Sequence, residues 1–223
     1  MQKFDTPSPV ATVLDIPAGL IRFIAADRAD TTVEVRPANA SSGADAKAAE
    51  RIEVAYADGV LRIAAPAAKS RVLGSSGSVE VTVQVPAGSR VEAKAASAEF
   101  RGVGRLGDVA FEGAQATVKI DESEHTVLSV LAGDVSVGRL GGPAEITTQK
   151  GDIRVGEAVH GTVRLNTLHG EISVGAARGV SASLDAGTSY GRVNNSLRNA
   201  EGADAPLKIH ATTAYGDVTA HSR

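Results

Sequence analysis

The sequence predicts an all-β protein whose short coils stack into a parallel β-solenoid, also called a β-helix. Two observations support this prediction. Apolar residues occupy alternate positions along most of the chain, and a Gly-acid-aliphatic step recurs in its second half, as in TTQKGDIRVG (147–156) and NTLHGEISVG (166–175). An antiparallel β-sandwich or β-roll is the alternative architecture for the same alternation.

Residues 1–95 are predicted to form irregular antiparallel coils and a cap at one end of the solenoid. Apolar alternation marks strands at 10–16 and 78–86, and the Asp-Gly pair at 58–59 is typical of a hairpin turn. A cap is expected because an open solenoid end exposes backbone groups that recruit other chains. The Ala/Gly/Ser-rich segment 40–52 is expected to be a flexible loop rather than a helix.

Residues 96–223 are predicted to continue the same domain as repetitive coils. Each coil has an anchor glycine at a corner, where positive φ and close backbone approach favour glycine. Two positions later stands an aliphatic residue, and stacking each coil on the next makes these residues a buried core ladder. The anchor glycines are Gly133, Gly151, Gly170, Gly191 and Gly216. The core ladder consists of Val135, Ile153, Ile172, Val193 and Val218.

The C-terminal end of the repeat has no obvious cap in the sequence. Either the loop 196–206 closes the last coil, or this end of the solenoid is a contact between copies of the chain. Both alternatives remain open from the sequence.

In their order along the chain, these features resemble the bacterial putative-adhesin family of β-strand-repeat proteins. The resemblance implies a β-helical domain with no established active site. The segment GRVNNSL (191–197) departs from the pattern, because Arg192 replaces the acid and Asn195 replaces an inward aliphatic residue. The matching segments are IPAGLIRFIAADRADTTVEVRP, DGVLRI, VEVTVQVPAGSRVEAKAASAEFRGVGRLGDV, GDVSVGRLGG, GDIRVG and GEISVG, which together cover nearly the whole chain.

Composition argues against several classes of function. The formal charge of −3 gives no attraction to nucleic acid or to an anionic membrane. The chain has no cysteine, so disulfides, thiolate metal sites and cysteine nucleophiles are excluded. No apolar run approaches membrane-spanning length and no signal peptide is recognisable, so we expect no membrane insertion and a cytoplasmic location, with the cell surface left open.

No pattern in the sequence predicts an enzyme, a metal site or a cofactor. The acids Asp134, Asp152, Glu171 and Asp217, which follow the anchors, are interpreted as turn carboxylates that cap backbone N–H groups, with a calcium site as the alternative. The histidines lack metal-ligand spacing. The GTSYG segment (187–191) resembles a nucleophile elbow, but no helical pattern follows it.

One outward column is the candidate interaction site. Lys150, His169, Tyr190 and Tyr215 stand immediately before the anchors, and exposed aromatic residues on a flat face are suited to a protein or glycan contact. The alternative is a structural column whose rings cover the coil edge. The sequence therefore predicts a non-catalytic binding or scaffolding module. Its rivals are a cell-surface adhesin, a solenoid that self-assembles through its ends, and a polysaccharide-active enzyme.

Overall fold

The computed structural model describes residues 1–66 and 77–223, and the protein is mainly β with one α-helix among these residues. Sixteen strands belong to one hydrogen-bonded network, in which most pairs of neighbouring strands are parallel. The antiparallel pairs described all involve early strands. The strand Ala11–Ala26 pairs in parallel with its neighbours, so the prediction of antiparallel coils for residues 1–95 holds only in part. The prediction of a mainly β, mostly parallel architecture is confirmed.

The strands before the repeats include two very long ones that bend through more than one coil. The first seven strands are β1 (Gln2–Asp5), β2 (Ala11–Ala26), β3 (Asp30–Pro37), β4 (Glu53–Ala57), β5 (Val60–Ala64), β6 (Val79–Pro86) and β7 (Arg90–Ala132).

Each repeat coil has two strand segments joined at an anchor glycine, and the first of these coils combines the end of β7 with β8. The strands that follow β7 are β8 (Val135–Leu140), β9 (Ala144–Lys150), β10 (Ile153–Ala158), β11 (Gly161–His169), β12 (Ile172–Ala176), β13 (Ala182–Tyr190), β14 (Val193–Ser196), β15 (Leu207–Tyr215) and β16 (Val218–Ser222).

The strands form two rows that share β2 and β7. In the β8 row the order is β1-β3-β6-β2-β7-β8-β10-β12-β16-β14, and in the β9 row it is β4-β5-β2-β7-β9-β11-β15-β13. Inward side chains of both rows join one hydrophobic core cluster. Because no single coil can bury its own apolar side, the stacking of coils creates the core.

The segment 40–52, predicted as a flexible loop, instead contains the helix α1 (Gly43–Arg51). The Ser42 hydroxyl accepts a hydrogen bond from the backbone N–H of Asp45 at 3.3 Å, which caps the first turn. The Asp45 carboxylate in turn accepts from the N–H of Ser78 at 3.0 Å. The loop prediction was wrong because this second contact joins residues distant in sequence, and composition alone does not show it.

The last two coils do not stack in chain order, contrary to the prediction. Val218 of β16 pairs with Ile172 of β12 on one side and with Val193 of β14 on the other. The final coil, β15–β16, is therefore inserted between the β11–β12 coil and the β13–β14 coil. The loop 197–206 makes this possible, and the Ser181 hydroxyl anchors the loop by accepting from the N–H groups of Ala200 and Glu201.

This insertion decides which members of the core ladder are buried. Four of them are at most 1% exposed: Val135, Ile153, Ile172 and Val218. Val193, by contrast, is 43% exposed, because its coil is the outermost one and has a neighbour on one side. The prediction of a buried Val193 is wrong for this reason.

The anchor glycines form a column in which each lies against the backbone of the next coil. Gly170 has a φ of +154°, and a Cβ added there would lie 2.0 Å from the carbonyl oxygen of Gly151. Gly133, Gly151 and Gly216 have positive φ as well, whereas Gly191 does not. A Cβ at Gly191 would nevertheless lie 1.9 Å from the carbonyl oxygen of Gly216. All five anchor glycines lie this close to a neighbouring backbone, whereas only four of them have positive φ.

Candidate interaction face: an exposed aromatic ladder

The four residues that precede the last four anchors lie side by side at the edge of the β9 row. Strand pairing places Lys150 beside His169, His169 beside Tyr215, and Tyr215 beside Tyr190. We call this row the aromatic ladder. Its order differs from the order in the sequence, because the inserted final coil brings Tyr215 between His169 and Tyr190.

The three rings of the aromatic ladder are stacked almost parallel. The centroids of His169 and Tyr215 are 4.8 Å apart with an interplanar angle of 5°, and those of Tyr215 and Tyr190 are 4.9 Å apart with an angle of 3°. These separations match the spacing of hydrogen-bonded strands, about 4.7–4.9 Å. The backbone register therefore sets the spacing of the stack.

The aromatic ladder is open to solvent. Tyr190 is 68% exposed and Tyr215 is 49% exposed. Tyr190 belongs to the outermost coil, so within the described residues one face of its ring contacts Tyr215 and the other has no ring against it. An aromatic surface of this kind is available to a partner.

Buried threonines fix the corner on which the aromatic ladder stands. Thr167 and Thr213 lie two residues before ladder positions and are 4% and 2% exposed. The Thr167 hydroxyl donates to the carbonyl oxygen of Gly151 at 3.1 Å, and the Thr213 hydroxyl donates to that of Gly170 at 3.0 Å. Each bond crosses from one coil to the next, so the corners are held in register beneath the exposed rings.

The exposed apolar side chains are concentrated on the face that carries the aromatic ladder. Among the described residues, seven large hydrophobic side chains are exposed, and five of them belong to the β9 row. These five are Val127, Leu131, Leu168, Tyr190 and Tyr215. Sequence reasoning missed Leu131 and Leu168, although both stand two positions before an anchor glycine, next to the column that was recognised.

The β8 row presents a different surface, made of alternating charges. Arg139 lies 3.6 Å from Glu122 and 2.9 Å from Glu157, and Arg223 lies 3.2 Å from Glu157. Exposed ion pairs of this kind add little stability, typically about 0–1 kcal/mol each. Their effect is to make this face polar. The β9 row also carries charged residues, with Arg164 beside Glu145.

A shallow groove of about 450 Å³ continues the apolar side of the β9 row beyond the aromatic ladder. Its lining includes Pro17, Ala96, Ala114 and Leu131, which come from β2 and from successive parts of β7. Small side chains at these positions leave the groove open. The charged residues Asp15, Lys94 and Glu112 line it as well, and Lys94 forms an ion pair with Glu112 at 3.3 Å. The groove reaches the β9 row at Leu131, next to Ala132, which pairs with Lys150 of the aromatic ladder.

The acids that follow the anchors bind neighbouring backbone. The Asp134 carboxylate accepts from the N–H of Asp152 at 2.9 Å, Asp152 accepts from that of Glu171 at 2.9 Å, and Asp217 accepts from that of Arg192 at 2.8 Å. This is the hydrogen bonding that the capping interpretation expects. In the part of the chain that the structure describes, no group of three or more His, Asp or Glu residues is arranged to hold a metal ion.

The GTSYG segment lies at the end of β13 and continues into β14, so it is not the strand-to-helix turn of a nucleophile elbow. Residues 1–66 and 77–223 include no helix with the length and apolar character needed to cross a membrane.

The stacked parallel coils define a class of repetitive β domains. The chain belongs to the Toastrack DUF4097 family, which matches residues 47–222. This agrees with the resemblance seen in the sequence. No curated protein is significantly similar to the chain.

Two solved structures share the fold over nearly their whole length. The crystal structure of a putative adhesin from Bacteroides fragilis superposes with a TM-score of 0.59 at 13% identity, covering 98% of this chain and 95% of that one. A putative adhesin from Parabacteroides distasonis superposes with a TM-score of 0.52 at 16% identity, again covering 98% and 95%. At these identities the likeness concerns the fold.

Proposed function

We propose that the protein is a non-catalytic binding module that contacts an extended protein or glycan partner through the aromatic ladder. The observation that supports this most directly is the ring stack of His169, Tyr215 and Tyr190, which places parallel aromatic rings at an exposed edge. Tyrosine combines an apolar ring with a polar hydroxyl and is enriched in binding interfaces.

The repeat of the coils suits a linear partner. Successive coils present a side chain at the same corner position at the strand spacing, about 4.8 Å, and three of these four positions carry a ring, so an extended chain laid along the ladder would meet a ring at each of three successive coils. Leu131 and Leu168 add exposed apolar side chains beside the ladder, on either side of Gln149, and the groove near Pro17 adds a concave surface. Large exposed apolar side chains that cluster on one face are a common mark of an interaction site.

The comparisons support the same kind of role. Two structural neighbours are described as putative adhesins, and adhesion is contact through a surface without chemical conversion of the partner. An adhesive role would place the chain at the cell surface. Fractionation of cells that express the untagged gene tests that location independently of the aromatic ladder.

The decisive experiment compares three proteins: the wild type, the double variant Tyr190→Ser/Tyr215→Ser, and a control variant Arg139→Ser/Glu157→Ser on the charged face. Each is applied to a glycan array and used for affinity capture from the native cell. We expect a partner that the wild type and the control bind and that the double variant loses. Urea unfolding of all three proteins shows whether a loss of binding merely follows a loss of stability.

Two results would contradict the proposal. If the double variant binds every partner of the wild type but unfolds at much lower urea concentration, the rings are a packing device. If the wild type releases reducing or unsaturated ends from any member of a glycan panel, with or without calcium, the protein is an enzyme.

A further inference from the structure

Two of the three tyrosines of the chain meet in the aromatic ladder. Tyr190 and Tyr215 are paired residues of the parallel strands β13 and β15, and their ring centroids lie 4.9 Å apart at an interplanar angle of 3°. The third tyrosine, Tyr56, packs against Phe4 on the strands β1 and β4 at the other end of the protein. Tyr190 and Tyr215 are therefore the two phenol rings that lie face to face.

The strand register brings the reactive carbons of these two rings opposite each other. In a parallel pair, the side chains of paired residues leave the backbone on the same side, one strand spacing apart. Because the rings are also nearly parallel, the carbons beside the hydroxyl of Tyr190 face those of Tyr215 across roughly the distance between the centroids. These ortho carbons are the positions at which two tyrosyl radicals couple.

Both rings are open to an oxidant in solution and have room to turn. Tyr190 is 68% exposed and Tyr215 is 49% exposed. A carbon–carbon bond is much shorter than the separation of the rings, so the rings must tilt towards each other as the bond forms. Exposed side chains can do this by turning about χ1 and χ2 while the strands keep their spacing.

The composition of the chain directs one-electron oxidation to tyrosine. Cysteine and tryptophan, the side chains that compete most strongly for an oxidant, are absent from the sequence. The single methionine is Met1, which is exposed and takes up oxygen to give a sulfoxide instead of coupling. A one-electron oxidant that acts on this protein therefore reaches a phenol ring first.

We propose that Tyr190 and Tyr215 form a dityrosine cross-link when a haem peroxidase and hydrogen peroxide act on the protein. Each phenol gives up one electron and one proton, and the two tyrosyl radicals join through a bond between their ortho carbons. The hydrogen on each joined carbon then leaves as a proton, while a proton returns to each phenol oxygen. The protein loses two hydrogen atoms in all, and one molecule of hydrogen peroxide is reduced to two molecules of water.

The cross-link holds the outermost coil to its neighbour. In that coil Val193 is 43% exposed and every residue of β14 is exposed, so we expect opening of the protein to begin there. A bond from Tyr190 to Tyr215 ties β13 to β15 and closes the segment 191–214 into a ring, which restricts the unfolded chain. The modification is therefore a covalent staple at this end of the stack.

The test treats dilute wild-type protein and three single variants with a haem peroxidase and hydrogen peroxide. The variants are Tyr190→Phe, Tyr215→Phe and the matched control Tyr56→Phe. Phenylalanine keeps the ring and removes the hydroxyl, so equal urea midpoints before treatment show that folding is unaffected. We expect the wild type and the control to give monomers that lack two hydrogen atoms by mass and show dityrosine fluorescence, and the other two variants to show neither.

Peptide mapping locates the bond. Complete digestion with trypsin separates the peptide 179–192, which contains Tyr190, from the peptide 209–223, which contains Tyr215. We expect these two peptides to be joined in the oxidised wild type. The fraction of joined monomer should not depend on protein concentration, because the reaction takes place within one chain.

The staple is tested by a second urea titration after oxidation. We expect the urea midpoint of the wild type to rise, and that of Tyr190→Phe to stay where it was before treatment. The proposal is overturned if the wild type forms no dityrosine, if dityrosine appears only in covalent dimers, or if Tyr190→Phe still cross-links. An unchanged midpoint of the cross-linked wild type would overturn its role as a staple. The assay involves no binding partner, so its failure is distinct from failure of the proposed function.

Discussion

Replacing Val218 with alanine should destabilise the protein more than replacing Val193 with alanine. Both are valines in the core ladder, two positions after an anchor glycine, and they are cross-strand neighbours. They differ in burial, since Val218 is 0% exposed and Val193 is 43% exposed. The same substitution at both sites therefore reports which coil lies inside.

The expected magnitudes follow from the apolar surface that each side chain buries. Val→Ala removes two methylene equivalents, worth about 0.8 kcal/mol each when buried, and the cavity left behind adds to this. We expect Val218→Ala to lower the free energy of unfolding by about 2 kcal/mol. For Val193→Ala we expect less than about 1 kcal/mol, because roughly half of that side chain already faces water.

Urea unfolding followed by far-UV circular dichroism measures both values, provided that the slope m is the same for the two variants and the wild type. The corresponding fall in melting temperature for Val218→Ala is about 4–8 °C in a chain of this size. Stacking of the coils in chain order would put Val218 at the end and Val193 inside. Equal losses, or a larger loss for Val193→Ala, would therefore refute the inserted order.

Two further predictions concern backbone strain and acid stability. Gly170→Ala should lower the free energy of unfolding by at least about 2 kcal/mol, because the φ of this residue favours glycine and the new Cβ would collide with the carbonyl oxygen of Gly151. Gly187→Ala serves as the control. Its new Cβ meets no atom within 4 Å, so this substitution should leave stability unchanged in the same urea titration. The hydrogen bond from Arg28 to Asp30 lowers the pKa of this carboxyl from 3.8 to about 2, so its contribution to stability is present above pH 3.8 and is lost as the pH falls towards 2. Asp30→Asn should therefore reduce the acid-induced loss of stability between those two values, and an unchanged acid profile would contradict this assignment.

The sequence predicted the short strands of the repeats and their glycine corners, but not the long strands β2 and β7. Period-two alternation identifies the strands because one side of each strand is buried, and this relation is local. The glycine column follows from the close approach of successive backbones, which every coil repeats. The aromatic ladder was found for the same reason, since a fixed distance from an anchor fixes a position on the corner.

Helix α1 could not be predicted from the local sequence alone. Its cap at Ser42 is local, but the bond from Ser78 to Asp45 joins residues far apart in the chain. The Ala-rich composition fits a loop and a helix equally well. The packing of the helix against β3 and β6 decided between them.

The order of the last two coils was decided by tertiary structure. The segments 182–196 and 207–222 carry the same columns of Thr, Tyr, Gly and Val, so either one matches the β11–β12 coil in register. What distinguishes them is the inward position after the valine, which is Asn195 in one coil and Ala220 in the other. A buried amide without partners is costly, whereas at the end of the stack it stays hydrated. Asn195 is exposed and Ala220 is buried, so the polar coil lies outside and the apolar coil is enclosed.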